Sequence, residues 1–252
     1  MEARNTDSGN PAIFDRQERY GLQTPGLLGK FFEARALAEA CMLVPAAPLL
    51  MSQDRGDGRQ VMVLPGFLAD DKSTWPLRRF LTHLGYEALP WGLGRNHGQP
   101  EADADRVIGR VDAVRRGKEP VTLIGWSLGG VIAREVARKT PTTVREVITL
   151  GTPVEGGPKY TAAGQRFAKL NDLDLDAFEK HVHSINQEGI HRPLTIVYSR
   201  GDGIVDWRAA IDRYNPHARH VRVPGSHIGL GVNPLVWRIV AQTLATPAAP
   251  DS

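Results

Sequence analysis

The sequence predicts an α/β fold, a mostly parallel sheet with helices on both faces. Three observations carry this. Short apolar runs recur along the chain and read as buried parallel strands. Helical patterns of a dozen or so residues lie between them. Glycines and prolines punctuate the joins. Strands alternating with helices of this length imply parallel strands joined by crossover helices, with functional groups on loops at the strands' carboxyl ends.

The strand-like runs are VMVL at 61–64, VTLI at 121–124, VITL at 147–150 and LTIVY at 194–198, with a shorter VRV at 221–223 and a weaker EAL at 87–89. The helical stretches are 73–84, with a Ser or Thr cap and a stop at Gly85, 104–116, stopping at Gly117, then 128–139 and 234–244. Ahead of them, 31–44 reads as a mostly apolar helix ended by Pro45, and the polar QDRGDGR at 53–59 as a turn. The helix is expected to pack on the sheet; the alternative is a membrane-surface helix making peripheral contact, which its weak basic character disfavours. Between Gly151 and Pro193 the chain is longer than a crossover needs. This stretch holds the loop GTPVEGGP and a helical segment at 175–187, and is expected to form a small lid over the active-site end of the sheet.

At 252 residues, 41% apolar and 23% charged, the chain has the make-up of a soluble globular protein with one main domain. The expected organisation is an N-terminal extension at 1–58, an α/β domain at 59–246 with the lid at about 155–192, and a tail at 247–252. The polar ends, 1–10 and 246–252, are expected to fray. The net charge is only +3, and no Lys/Arg cluster is interleaved with aromatics, so a nucleic-acid partner is not expected. Cys41 is the single cysteine, which rules out an internal disulfide, and its apolar surroundings suggest a buried, inert thiol. The first twenty residues carry acidic groups and no apolar core, unlike a secretory signal. The stretch 27–51 is interrupted by Lys30, Glu33, Arg35, Glu39, Pro45 and Pro48, too charged and broken to span a bilayer. A cytoplasmic location is the expectation.

VTLIGWSLGG is the most informative segment. It runs from a strand-like stretch into Gly125-Trp126-Ser127-Leu128-Gly129 and then into a helical stretch, which is the context G-x-S-x-G requires. A nucleophile on so tight a turn must adopt strained backbone angles, and the flanking glycines let strand and helix approach closely. The helix N-terminus, and the Leu128 N–H in particular, then faces a developing oxyanion. A serine hydroxyl needs a base. Of eight histidines, His83, His97, His181, His183, His191, His217 and His220 read as surface or packing residues, whereas His227 lies after a strand-like run and a Pro-Gly turn, late in the chain. Asp202 sits in RGDG directly after LTIVYS and is the candidate to orient that imidazole; Asp206, four residues on, reads as a helix cap. Val61 to Leu64 runs into Pro65-Gly66-Phe67-Leu68, where the Phe67 N–H is the candidate second oxyanion donor.

Taken together, LPGFLADDKSTWPLRRFL, WGLGRNHG, GWSLGG, GTP, YSRGDGIVDW and GSHIGLGVNP resemble the bacterial lipase and esterase branch of the α/β-hydrolase superfamily, over about 61–244. The resemblance implies a reduced α/β-hydrolase fold of about six strands, since 27–50 offers helix where relatives often carry further strands. It also implies a Ser127–His227–Asp202 triad acting on carboxylic esters through an acyl-enzyme, with no metal or organic cofactor. Phe67, Leu68, Trp126, Phe167 and Leu170 would form an apolar acyl pocket, suited to a small-molecule or lipid ester. One departure stands out: many relatives have His before the oxyanion glycine, where this chain has Pro65, so the side-chain hydrogen bonds of that loop must differ. The rival readings are an acyltransferase or thioesterase with the same triad, and a non-catalytic lipid-binding scaffold.

Overall fold

In the computed structural model of the protein the described residues are 18, 20–26, 29, 33–115 and 119–246. The ends at 1–10 and 247–252, the first two residues of the anticipated N-terminal helix and the expected helix stop at 116–117 lie outside them. Six strands, β1 (Gln60–Leu64), β2 (Glu87–Pro90), β3 (Val121–Trp126), β4 (Val144–Leu150), β5 (Leu194–Tyr198) and β6 (Arg219–Arg222), form one sheet in the order β2-β1-β3-β4-β5-β6. Every pairing is parallel. After β1 the chain builds outward to β2, then returns to the other side of β1 for β3. The crevice at the carboxyl ends of β1 and β3 is thus the point where the winding reverses, the usual place for a ligand in such sheets.

The alternation along each strand divides the core into two layers. Val61, Val63, Ile124, Ile148, Leu150 and Val197 pack against α3 (Asp71–Leu84), α8 (Pro234–Ala245) and Leu50. The Phe80 and Trp237 rings stack there at 5.0 Å. Met62, Leu64, Leu123, Val147 and Ile196 face the other way, onto α4 (Pro100–Val114) and α5 (Leu128–Lys139). With both faces covered, the central strands are buried and predominantly apolar, interrupted by the buried Thr122, Glu146, Thr149 and Thr195. The edge strands differ: β6 is Arg-His-Val-Arg, largely exposed, and β2 ends in Pro90, both features that blunt an open sheet edge.

Helix ends follow their capping chemistry. The cap of α3 is Asp70, whose carboxylate accepts the Lys72 N–H at 2.9 Å, so the helix starts two residues before Ser73; Ser73 Oγ donates to the Asp70 carbonyl instead. Gly85, at φ 99°, ends it as expected. Helix α4 begins at Pro100, four residues earlier than the apolar spacing suggests, because proline is well accommodated in a first turn where its missing N–H has no helical partner.

The N-terminal region departs from expectation. A 3-10 turn at Glu33–Arg35 leads into α1 (Ala36–Cys41), and after Met42 the chain bends by 54° into α2 (Leu43–Met51). Pro45 does not end the helix: it is the third residue of α2, where the backbone N–H would have no acceptor, and α2 runs on through Pro48. Leu50 reaches the core, while Leu37, Met42, Val44 and Leu49 are exposed. Cys41 is also exposed, contrary to the buried thiol expected, because α1 buries none of its residues. Among the described residues no single helix is long and apolar enough to cross a membrane.

The stretch between β4 and β5, expected to act as a lid, holds two α-helices. The anticipated one is α7 (Leu175–Asn186), and α6 (Gly164–Asn171), which lacks a side-chain cap, precedes it. Within this stretch Glu179 of α7 ties the helix to the turn at 157–160, accepting from Lys159 Nζ at 2.6 Å and the Tyr160 hydroxyl at 2.7 Å. At its base the buried Arg134–Asp212 pair closes at 2.6 Å.

Candidate active site

Ser127 stands between β3 and α5 at φ 54° and ψ −121°, a conformation that costs a non-glycine residue about 1–3 kcal/mol. The turn is held on both sides. The Ser127 N–H donates to the Leu150 carbonyl at 2.8 Å, and its own carbonyl accepts the Thr152 hydroxyl and the Gly130 N–H, each at 2.9 Å. The glycines are needed for close approach. A Cβ on Gly125 would overlap Gly130, one on Gly129 the Leu64 carbonyl, and one on Gly130 the Thr152 hydroxyl. Thr152 belongs to the GTP turn after β4, so that turn braces the elbow.

The acid and base candidates meet. His227 Nδ1 lies 2.7 Å from Asp202 Oδ2, with both side chains at least 95% buried. Asp202 Oδ1 accepts the Ile204 and Val205 N–H groups at 2.9 and 2.7 Å, which fixes the carboxylate. Gly151, at φ 57°, lies against the pair: a Cβ there would come within 3.1 Å of both Asp202 Oδ2 and His227 Nδ1. Burial pulls the imidazole pKa down, but the Asp202 charge and hydrogen bond and the Glu33 charge outweigh it, leaving His227 above its ordinary 6.5. Asp206 is elsewhere. No helix starts there, and its carboxylate accepts the backbone N–H groups of Gln23 and Arg208.

Ser127 and His227 line one cavity of about 310 Å³, but no hydrogen bond joins them: among the described residues Ser127 Oγ has no partner. Phe67, Phe167 and Phe178 line the cavity too, ring against ring at 5.3 and 5.9 Å, so the lid contributes apolar wall. Trp126 lines it as expected, and its indole N–H donates to the His227 carbonyl at 3.2 Å. Leu68 and Leu170 do not line it. Leu68 turns away at φ 61°, and Leu170 faces solvent on the outer side of α6.

The oxyanion candidates flank the serine. Register pairs Leu64 with Gly125, which sets Pro65-Gly66-Phe67 beside Trp126 and Ser127. A Cβ on Gly66 would meet Ser127 Cβ at 3.2 Å. Among the described residues neither the Phe67 nor the Leu128 N–H meets an acceptor, and that of Leu128, at the first position of α5, has none within the helix. The Pro65 loop is tied down by Asn96, fully buried, whose Nδ2 donates to the Pro65 carbonyl at 2.9 Å and whose backbone carbonyl accepts the Leu68 N–H at 2.7 Å. Sequence reasoning passed over Asn96; its only signal is its place in WGLGRNHG. Glu33 and Glu39 give no such signal: in the sequence they are charges that interrupt an apolar run. The other histidines stand apart: His181 pairs with Glu101 across the lid, and His183 with the Tyr214 hydroxyl. Among the described residues no group of side chains is suited to hold a metal ion.

A parallel sheet with a serine on a strained strand-to-helix turn, and an Asp–His pair on loops after later strands, is the architecture of an α/β hydrolase. The chain belongs to that family: the model of the alpha/beta hydrolase family matches residues 61–249. Among solved structures it is similar to LipS and LipT, two metagenome-derived lipolytic enzymes, at 12% identity and a TM-score of 0.57, covering 76% of this chain and 95% of that one. It is similar to carboxylesterase CesB (YbfK) from Bacillus subtilis at 14% identity and a TM-score of 0.54, covering 77% and 87%. A third likeness is to the thioesterase domain from the curacin biosynthetic pathway, at 15% and 0.53, covering 77% and 93%. At such identities the likeness is one of fold. A comparison with curated protein sequences gives no match.

Proposed function

We propose that the protein is a serine hydrolase that cleaves carboxylic esters through an acyl-enzyme. The observation that carries this reading is the buried 2.7 Å contact of His227 Nδ1 with Asp202, at the rim of the cavity that Ser127 also lines. Asp202 holds the imidazole in the tautomer that leaves Nε2 free to take a proton and stabilises the imidazolium that follows. Substrate binding closes the Ser127 Oγ to His227 Nε2 contact, as catalytic hydrogen bonds often tighten only in the complex. Ser127 Oγ then attacks the ester carbonyl and its proton passes to His227. The tetrahedral oxyanion is met by the Phe67 and Leu128 N–H groups, and His227 returns the proton to the departing alkoxide. Water, deprotonated by His227, attacks the acyl-serine; the acyl–oxygen bond to Ser127 breaks, the acid leaves, and His227 returns the proton to Ser127 Oγ.

The aromatic wall of Phe67, Phe167 and Phe178 favours an apolar acyl group over a peptide. Hydrolysis of short nitrophenyl esters is the direct assay. The wild-type chain is expected to turn them over, and Ser127→Ala to lose at least about 10³-fold in kcat. Equal rates for the two proteins would defeat the proposal. A product that forms only when a second acyl acceptor is supplied would point instead to an acyltransferase using the same serine.

A further inference from the structure

The chemistry above leaves two carboxylates unused, both from the segment ahead of the sheet and both aimed at the loops that carry Asp202 and His227. Glu33, 8% exposed, commits both oxygens to backbone N–H groups. Oε1 accepts from Gly203 at 2.8 Å and from His227 at 2.9 Å, and Oε2 from Ile228 at 2.8 Å. Gly203 directly follows Asp202; the other two donors belong to the histidine loop. One side chain therefore ties together the two loops whose own side chains must meet. Glu39, six residues on, accepts the Ser226 N–H at 2.8 Å and the Asn233 side-chain amide at 3.3 Å. The glycines of GSHIGLG are shaped around it: a Cβ on Gly229 would overlap the Glu39 carboxylate, and one on Gly225 would come within 2.7 Å of Glu39 Oε2.

We propose that Glu33 is a positioning residue of the acyl-transfer site, fixing the acid turn to the histidine loop and placing a second negative charge beside the imidazole. The assignment rests on the reading of His227 as the base. Its physics is general. A carboxylate that accepts several backbone N–H groups makes strong, charge-assisted bonds. Proton abstraction creates a buried imidazolium, which is costly unless anions face it. Among the described residues, Asp202 on the acid turn and Glu33 from the N-terminal segment act on His227 directly, Glu39 binds the neighbouring Ser226 N–H, and Arg35, which is exposed, donates to the Gly201 carbonyl at 3.1 Å. Three of the four are anions. The segment that the sequence sets apart as an extension thus completes the site.

The test is Glu33→Gln, isosteric but neutral, with Glu33→Asp, charged but shorter. The pH titration of His227 is followed by NMR in histidine-labelled protein, assigned by loss of its signal in His227→Gln, alongside the pH profile of ester hydrolysis. Glu33→Gln is expected to titrate at lower pH than wild type and to lose about ten- to a hundredfold in kcat/KM, the scale of a displaced catalytic group. Glu33→Asp is expected to titrate near wild type yet to lose kcat, because the charge remains while the tie between the loops is broken. The titration needs no substrate, so it reads Glu33 even if no ester is cleaved. A Glu33→Gln protein whose titration stays at the wild-type pH overturns the proposal. If that variant does not fold, a Glu33→Asp protein with wild-type kcat overturns it equally.

Discussion

At the scale of the residue, the site depends on groups held where they would not rest alone. Ser127 stays in a strained conformation because its N–H and carbonyl are both bonded to fixed partners, Leu150 on one side and Thr152 and Gly130 on the other. His227 stays buried beside a carboxylate, and the balance around it has a measurable sign. The base must be neutral to accept a proton, so kcat/KM should fall as pH drops through the His227 pKa. Burial would carry that limb below 6.5; Asp202 and Glu33 carry it above. Asp202→Asn removes the larger favourable influence and leaves the burial, so the acid limb should move to lower pH while kcat falls by about 10⁴-fold. A pH–rate profile of the two proteins checks both, and an unmoved limb would mean that Asp202 is not the partner.

At the scale of the element, the elbow works because β3 and α5 pass closer together than side chains allow. Gly130→Ala would drive a methyl into the Thr152 hydroxyl, a buried side chain that itself holds the Ser127 carbonyl. The change is expected to lower stability by about 3 kcal/mol, the upper end for overpacking, and to disturb the turn, which thermal unfolding and activity together would register. This is also the scale at which the sequence is most readable. All six strands, the elbow glycines and the turns that carry Ser127, Asp202 and His227 are local patterns, each visible in ten or so residues. Glu33 and Asn96 were invisible for the opposite reason. The bonds that give Glu33 its place are to residues 170 and 194 positions away, and those of Asn96 are to a loop 31 positions back. A carboxylate in an apolar run looks like an interruption until the loops it serves are folded against it. The same blindness misplaced Cys41, whose apolar neighbours suggest burial although α1 is tied to the histidine loop through Glu39 and leaves the thiol outside.

At the scale of the whole molecule, the winding of the chain assembles the site. Ser127, Asp202 and His227 follow β3, β5 and β6, three parallel strands whose carboxyl ends share one rim of the sheet. The stretch between β4 and β5 lines the cavity at that rim through Phe167 and Phe178, and Glu179 holds its α7 helix to Lys159 and Tyr160. The N-terminal segment grips the same rim from the other side through Glu33 and Glu39. On the proposed mechanism, convergence of this kind makes one serine out of many nucleophilic. A fluorophosphonate, which phosphonylates an activated serine, therefore gives the most direct measurement: mass spectrometry of the labelled and digested protein. A single phosphonylated peptide containing Ser127 is expected, absent in Ser127→Ala and formed far more slowly in His227→Ala. Labelling that persists undiminished in Ser127→Ala, or that leaves Ser127 unmodified in the wild-type protein, would contradict the account.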